Sequence, residues 1–122
     1  MAYLNDRVLD LGLTVLDTEA NRLDLCSQEP TSYAEATSTY TLGNKTSLSV
    51  GAPADRSPDG RKVTIAAISD GTVTGTGTAT HWALTDTSNS RLLATGALSA
   101  SQGVTSGNTF TLGAFDVGIP DA

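Results

Sequence analysis

The N-terminal part of the chain carries apolar side chains at helical spacing. One row is separated by steps of four, three and four residues and consists of Leu4, Val8, Leu11 and Val15. This spacing places side chains on one face of an α-helix. A glycine inside a helix costs about 1 kcal/mol relative to alanine, so Gly12 makes such a helix dependent on a partner surface. The pattern predicts a helix over residues 4–17, lying either on the protein's own sheet or between subunits.

Beyond residue 20 the pattern is that of strands separated by turns. The predicted strands cover residues 22–27, 46–50, 63–68 and 72–86, with a last strand that ends at Pro120. The intervening segments are predicted as an ordered loop at 28–40 anchored by Tyr33 and Tyr40, an exposed loop at 51–62 containing Ser57-Pro58-Asp59-Gly60, and a turn at Asp70-Gly71. Proline and glycine favour these turns because proline fixes one dihedral angle and glycine permits positive φ.

The long segment from Thr72 to Asp86 carries threonine at alternate positions and two glycines, Gly75 and Gly77. Glycine weakens a strand interior, so these two predict a bend or a close backbone approach. A turn at Ser88-Asn89 would start a hairpin in which paired residue numbers sum to 177. That register places Asp86 opposite Arg91, Leu84 opposite Leu93 and Trp82 opposite Thr95, which matches an ion pair and an apolar pair.

The last strand changes phase part-way along. Phe110 and Leu112 are apolar at even positions, whereas Phe115, Val117 and Ile119 are apolar at odd positions. A shift of one residue moves side chains to the other face of a sheet. The change therefore predicts a β-bulge or a break near residues 113–114.

These elements predict a mainly β protein: a single antiparallel β-sandwich or barrel-like domain over residues 1–122 with a short N-terminal helix. Residues 1–20 form the helix or arm and residues 21–122 form the β-body. The number of short strands with turn signals between them favours this class. A chain of 122 residues is about the size of one domain.

Charge is unevenly distributed along the chain. The formal net charge is −6, from 13 acidic and 7 basic residues, and the segment between Leu92 and Phe115 contains no charged residue. Phosphate binding needs clustered basic residues, so nucleic acid is not expected as a partner. Interrupting charges at Asp6, Arg7 and Asp10 disfavour a signal peptide, and no apolar run approaches the ~18 residues needed to span a membrane.

The sequence offers little catalytic chemistry. His81 is the only histidine and Cys26 the only cysteine, so neither a histidine-based nor a cysteine-based metal site is expected. Cys26 is interpreted as a small buried residue, with a reactive thiol or an intermolecular disulfide as the alternative. The Gly-x-Ser-x-Gly pattern of many hydrolases is missing from the sequence. We expect no cofactor and no enzymatic activity.

Four segments carry a resemblance to a known group of proteins: residues 16–30 (LDTEANRLDLCSQEP), 55–63 (DRSPDGRKV), 79–86 (ATHWALTD) and 106–112 (SGNTFTL). Together they resemble small structural proteins encoded in the morphogenesis regions of tailed bacteriophages and prophages. The resemblance implies a virion component, made in the host cytoplasm during assembly. Small β-rich proteins of this kind often decorate or cement the capsid.

A capsid decoration role implies protein partners: the major capsid protein or neighbouring virion proteins, and further copies of the chain, with a trimer as one arrangement. The residues predicted to form such an interface are Leu4, Val8, Leu11, Val15, Phe110, Leu112, Phe115, Val117 and Ile119. A tail- or fibre-associated module that recognises a host surface is the main alternative. A small hydrolase is a third, and it is disfavoured by the shortage of histidine and paired acids.

Overall fold

Two antiparallel sheets make up the computed structural model, which describes residues 3–4, 12–55 and 61–119. The larger sheet contains β1 (Tyr3–Leu4), β2 (Arg22–Cys26), β3 (Thr41–Thr46), β6 (Ile68–Val73), β7 (Gly77–Asp86), β8 (Arg91–Val104) and β9 (Thr109–Leu112), in the order β1-β8-β7-β2-β3-β6-β9. The smaller sheet contains β4 (Ala54–Asp55), β5 (Arg61–Ile65) and β10 (Phe115–Ile119), in the order β10-β5-β4. The larger sheet curls into a half-barrel, so the predicted mainly β, antiparallel, barrel-like fold with one short early helix is confirmed.

The described helix covers only the last part of the segment that the apolar spacing predicts. Helix α1 covers Thr14–Glu19, whereas Leu4 lies in β1, opposite Ala94 of β8. A continuous helix cannot pass through Gly12, because its φ of 70° lies in the left-handed region. The prediction of a helix over residues 4–17 is therefore wrong at both ends, and residues 5–11 lie outside the described part of the chain.

Strand β2 is buried on both faces, which explains its central place in the sheet. Leu23 and Leu25 point into the main core, which they share with Leu16 of helix α1. Cys26 packs on the opposite face in a second, smaller cluster with Ala36. The alternation of residues 22–27 predicted this strand correctly, and burial of each leucine contributes about 1.5–3 kcal/mol.

The segment from 28 to 40 is ordered, as predicted, but part of it is helical. It contains a π-helical turn, Glu35–Thr39. The Glu35 carboxylate accepts hydrogen bonds from both the main-chain nitrogen and the hydroxyl of Thr31, each at 2.8 Å. Tyr40 packs against the smaller cluster, and Tyr33 is half-buried. This segment therefore covers one face of the larger sheet.

The two strands predicted between residues 46 and 68 are displaced. Strand β3 ends where the prediction begins, because Ser47 takes a positive φ of 57°, and Val50 makes only a single bridge to Ile65. The segment predicted as one strand from 63 to 68 is divided between β5 and β6, which lie in different sheets. The predicted loop at 51–62 includes the pairing of β4 with β5, and residues 56–60 lie outside the described residues.

Asp70 and Gly71 lie inside strand β6 rather than in the predicted turn. Gly71 pairs with Phe110 of β9, and a side chain at Gly71 would meet the phenyl ring. The glycine is therefore required for close packing across the strands, which sequence alone does not distinguish from a turn. The pairing shifts register between Ile68 and Gly71.

The long predicted strand from Thr72 to Asp86 is interrupted between β6 and β7. The predicted bend and close backbone approach are both found at Gly75, where the chain bends and the main-chain nitrogen donates to the main-chain oxygen of Leu42 at 3.1 Å. An added Cβ at Gly75 or Gly77 would lie 3.6 Å or 3.3 Å from a methyl group of Leu42.

The predicted hairpin forms, with its register correct only near the turn. Asp86 lies opposite Arg91, as predicted, whereas Leu84 lies opposite Ala94 and Trp82 opposite Gly96. Leu93 is the extra residue of a bulge, and it still shares the main core with Leu84. The expected ion pair is replaced, because Arg91 lies 3.7 Å from Glu19. The Asp86 carboxylate instead accepts hydrogen bonds from Ser88 and Asn89 in the turn, at 3.0 and 2.8 Å.

The apolar positions change phase between Leu112 and Phe115 because the chain passes there from the larger sheet to the smaller one. Strand β9 pairs with β6 in the larger sheet and β10 pairs with β5 in the smaller one. The partner strands break beside it, since Ile68 lies opposite Leu112 and Ile65 lies opposite Phe115. The predicted break at 113–114 is thus confirmed. The chain and its antiparallel partner segment, which contains β5 and β6, both leave one sheet and enter the other at this point.

Candidate functional site

The most distinctive surface is a groove between the outer half of β8 and the bend that joins β9 to β10. Its two adjoining sections have volumes of about 240 and 300 Å³. The groove-lining residues are Trp82, Ala97, Leu98, Ser99, Ala100, Ser101, Gln102, Thr111, Leu112, Gly113, Ala114 and Phe115. None of them is charged, in a chain in which 16% of residues are. The groove therefore suits a ligand that brings no charge of its own.

Two aromatic rings lie at one end of the groove. The ring centroids of Trp82 and Phe115 are 4.5 Å apart and the ring planes are inclined by 38°. Such pairs contribute about 0.5–1.5 kcal/mol beyond the area that they bury. Gly96 makes the indole position possible, because an added Cβ there would lie 2.5 Å from Cζ2 of Trp82. Both rings remain partly exposed.

A wide bulge in β8 forms one wall of the groove. Ala79 of β7 pairs with Gln102, and two residues later His81 pairs with Ala97, which leaves extra residues on β8. The bulge positions Leu98 and Ser99 in the groove wall, where Leu98 is partly buried and Ser99 exposed. Bulges commonly re-aim side chains next to functional surfaces.

Gln102 spans the groove. Its side-chain Nε2 donates a hydrogen bond to the main-chain oxygen of Thr111 in β9, at 3.2 Å. Strands β8 and β9 are separated by five positions in the sheet order. This contact therefore marks the seam at which the half-barrel approaches closure.

The nine residues predicted to form an interface do not lie together on one described surface. Leu112 and Phe115 line the groove and remain partly exposed. Val15, Phe110 and Val117 lie in the protein's own core and are 2%, 2% and 8% exposed. The remaining four lie outside what the structure describes, in whole or in their side chains: Leu4, Val8, Leu11 and Ile119. The predicted interface reached the groove through Leu112 and Phe115, but Leu98 and Gln102 were missed because no local pattern marks the β8 bulge.

A buried ion pair lies on the opposite face of the larger sheet. Arg22 donates to both oxygens of Asp24, at 2.8 and 2.9 Å, and the hydroxyl of Thr41 donates to one of them at 2.6 Å. Asp24 is fully buried, and this burial raises its pKa despite the hydrogen bonds from Arg22 and Thr41. A carboxylate so enclosed has no access to a substrate, so the cluster acts in folding.

The single cysteine and the single histidine do not form a catalytic pair. Cys26 lies opposite His81 in the β2–β7 pairing, but burial, together with Asp24, raises the pKa of its thiol to about 12. The thiol is then protonated at neutral pH, whereas the thiolate is the nucleophile. Nδ1 of His81 lies 2.9 Å from the hydroxyl oxygen of Thr80, which donates its proton to the main-chain oxygen of Ser27.

The described part of the chain brings no three potential metal ligands of the histidine, cysteine and acidic types together. No helix within residues 3–4, 12–55 and 61–119 has both the length and the apolar character needed to cross a membrane.

Comparisons with protein-family models, with curated proteins and with solved structures find no match to this chain. A functional assignment therefore depends on its residues and on the geometry of the groove.

Proposed function

We propose that this protein is a non-catalytic structural component of a tailed-phage particle, a decoration protein that stabilises the head by binding at junctions between capsid subunits. The observation that carries the proposal is the uncharged groove at the seam of the half-barrel. It is an exposed, uncharged surface on a β-body with the aromatic rings of Trp82 and Phe115 at one end, and the cores of protein–protein interfaces are depleted of charged residues and enriched in aromatic ones. The resemblance of four segments to phage morphogenesis proteins supports the particle as the place of binding.

Such a protein stabilises the capsid by adding contact area between its subunits. A stable interface buries about 800 Å² on each partner, and capsid symmetry repeats each contact many times. The hydrogen-bonded sheets hold the groove walls in place, so little ordering cost is incurred on binding. No bond is made or broken in this role, which agrees with the protonated thiol of Cys26 and the enclosed carboxylate of Asp24.

The test is binding to phage heads that lack this protein. Purified protein is mixed with such heads and sedimented, and the bound fraction is measured. Ser99→Asp introduces a charge at an exposed position in both sections of the groove. Ser38→Asp makes the same change at an exposed position in the π-helical turn and is the matched control.

We expect the unaltered protein and Ser38→Asp to co-sediment with heads at a fixed number of copies, and Ser99→Asp to bind at least several-fold less. Cryo-electron microscopy of the decorated particle should then show density between capsomers. Density on the tail instead of the shell would reject the decoration role in favour of a tail-associated module. Binding to neither structure would reject a particle role altogether.

A further inference from the structure

The two walls of the groove are strand edges. Strand β9 is the last strand of the larger sheet, so within the described residues no strand pairs with its outer edge. Strand β8 is covered on its outer side by the two residues of β1, opposite Ala94 and Thr95. The rest of β8, from Gly96 to Val104, continues along the groove without a described strand partner on that side. Within the described residues, both strands therefore face the seam with an edge that no other strand pairs.

The contact made by Gln102 shows how one of these edges is satisfied. In a continuous sheet the outward oxygen of Thr111 would accept a hydrogen bond from a neighbouring main-chain nitrogen. Here it accepts one from a side-chain amide instead. A side-chain donor of this kind is readily exchanged for a main-chain donor, because both are neutral amides of similar hydrogen-bonding strength.

The seam also has dimensions suited to a polypeptide. Adjacent strands lie about 4.8 Å apart, so one strand inserted between two edges requires a separation of roughly 10 Å. Strands β8 and β9 are bridged by the Gln102 side chain and one hydrogen bond rather than by main-chain pairing. The two groove sections, about 240 and 300 Å³, give space along the length of the seam.

Charge defines the composition of the segment that would fit. A charged side chain entering the seam would lose hydration and find no opposite charge among the lining residues. A segment of uncharged residues avoids that cost. The apolar rings of Trp82 and Phe115 at one end offer a contact for one apolar side chain.

We propose that the seam accepts one extended, uncharged segment of a partner protein, which hydrogen-bonds to the edges of β8 and β9 and places an apolar side chain against Trp82 and Phe115. This mode of recognition adds a strand to an open sheet edge. The inference rests on the proposed function in that it requires a protein partner, and it specifies what part of that partner is bound.

A different polypeptide fits the seam better than a second copy of this chain. The uncharged stretch of the chain, Leu92 to Phe115, is already committed to β8, β9 and their connections. A second copy would have to unfold part of its own sheet to donate it. A partner with a free extended segment incurs only the cost of ordering that segment.

The experiment selects peptides from a displayed library of random heptamers on the immobilised protein. We expect enriched peptides that lack Asp, Glu, Lys and Arg and that alternate apolar with small polar residues. Trp82 is the only tryptophan, so its fluorescence reports binding of a synthetic copy of the best peptide. Hydrogen exchange should slow at main-chain amides of β8 and β9 when the peptide binds.

Variants locate the binding site. Ser99→Asp should weaken peptide binding about tenfold or more, and Ser38→Asp should leave it unchanged. Gln102→Ala should bind the peptide more tightly than the unaltered protein, because the peptide no longer has to displace the side-chain donor. A role of Gln102 in fold stability alone would not produce that gain.

The proposal is overturned by any of four results: no enriched peptide, enriched peptides that are charged, binding that Ser99→Asp does not weaken, or self-association in sedimentation that Ser99→Asp abolishes. The last result would identify a second copy as the occupant. The peptide assay uses the protein without phage heads. If no peptide binds, the result of the head-binding assay still stands and still tests the proposed function. Conversely, peptide binding without head binding would reject only the decoration role.

Discussion

Gln102 of β8 donates a side-chain hydrogen bond to the main-chain oxygen of Thr111 in β9, with 3.2 Å between the two atoms. The contact joins strands that are far apart in the order of the sheet. It is exposed, and a typical hydrogen bond contributes about 0.5–1.5 kcal/mol to stability. We place this one at the lower end of that range because water competes for both groups.

Gln102→Ala is therefore expected to lower the free energy of unfolding by about 0.5 kcal/mol and to speed hydrogen exchange selectively in β9. Gln28→Ala is the control, since Gln28 is exposed outside the seam. Chemical denaturation and exchange measured by mass spectrometry give the two quantities. Equal exchange in β9 for both variants would show that Gln102 does not hold the seam.

Gly71 is required by the ring of Phe110. An added Cβ at Gly71 would overlap the phenyl ring, and Phe110 is only 2% exposed, so the ring has little space to move. Overpacking of a core costs about 1–3 kcal/mol. We expect Gly71→Ala to reduce the free energy of unfolding by an amount in that range.

Gly103→Ala is the matched control, because an added Cβ at Gly103 meets no atom within 4 Å. That variant should be as stable as the unaltered protein or slightly more stable. Adding Phe110→Leu to Gly71→Ala should recover part of the loss, in a double-mutant cycle measured by denaturation. If both glycine variants were equally destabilised, backbone freedom rather than ring packing would be the cause.

Local patterns predicted the elements whose causes are local. The alternation of apolar and polar residues predicted β2. The acid and the base beside the hairpin turn predicted that Asp86 lies opposite Arg91. The phase change of the apolar positions predicted the break at 113–114. The prediction of one continuous helix is wrong because Gly12 has a left-handed conformation, although the spacing of apolar residues across it is helical. The prediction of a turn at residues 70–71 is wrong because Gly71 makes room for the ring of Phe110, which lies 39 positions away in sequence.

The candidate site was only partly accessible to sequence reasoning. The predicted interface in the last strands included Leu112 and Phe115, which line the groove. The groove itself depends on a bulge in β8 and on the approach of β8 to β9, and both are set by long-range pairing. Hydrophobicity alone could not separate Val117 in the core from Leu112 at the surface.

Cys26 is expected to be inert in the folded protein. The side chain is fully buried and its pKa is raised to about 12, so neither access nor the thiolate is available at neutral pH. A colorimetric thiol reagent should therefore label one thiol per chain in denaturant and essentially none under native conditions. Over time, native labelling should follow the rate at which the protein opens. Rapid native labelling at pH 7 would show that the smaller cluster does not enclose this residue.

Asp24 and Asp116 should give opposite pH dependences of stability. Burial raises the pKa of Asp24, whereas hydrogen bonds from Thr64 and Lys62 lower the pKa of Asp116. The folded state therefore binds the Asp24 proton more tightly than the unfolded state does, and the Asp116 proton less tightly. The unfolded reference for both is about 3.9.

The sign of each contribution follows from proton linkage. For Asp24, the stability contribution is complete below the unfolded pKa and is lost as pH rises through the raised folded pKa. For Asp116, the contribution is present above the unfolded pKa and is lost as pH falls through the lowered folded pKa. The free energy of unfolding of the unaltered protein minus that of Asp24→Asn should thus fall with rising pH, and the corresponding difference for Asp116→Asn should rise.

Urea denaturation at a series of pH values between about 3 and 6 measures both differences. Asp24→Asn also disturbs the contact with Arg22, but Arg22 stays charged throughout this range, so that loss shifts the whole curve without changing its slope. The slope for Asp116 should be the smaller, because solvent screens an exposed pair. Slopes of the same sign would mean that the Asp24 carboxylate is stabilised by its partners more than it is penalised by burial.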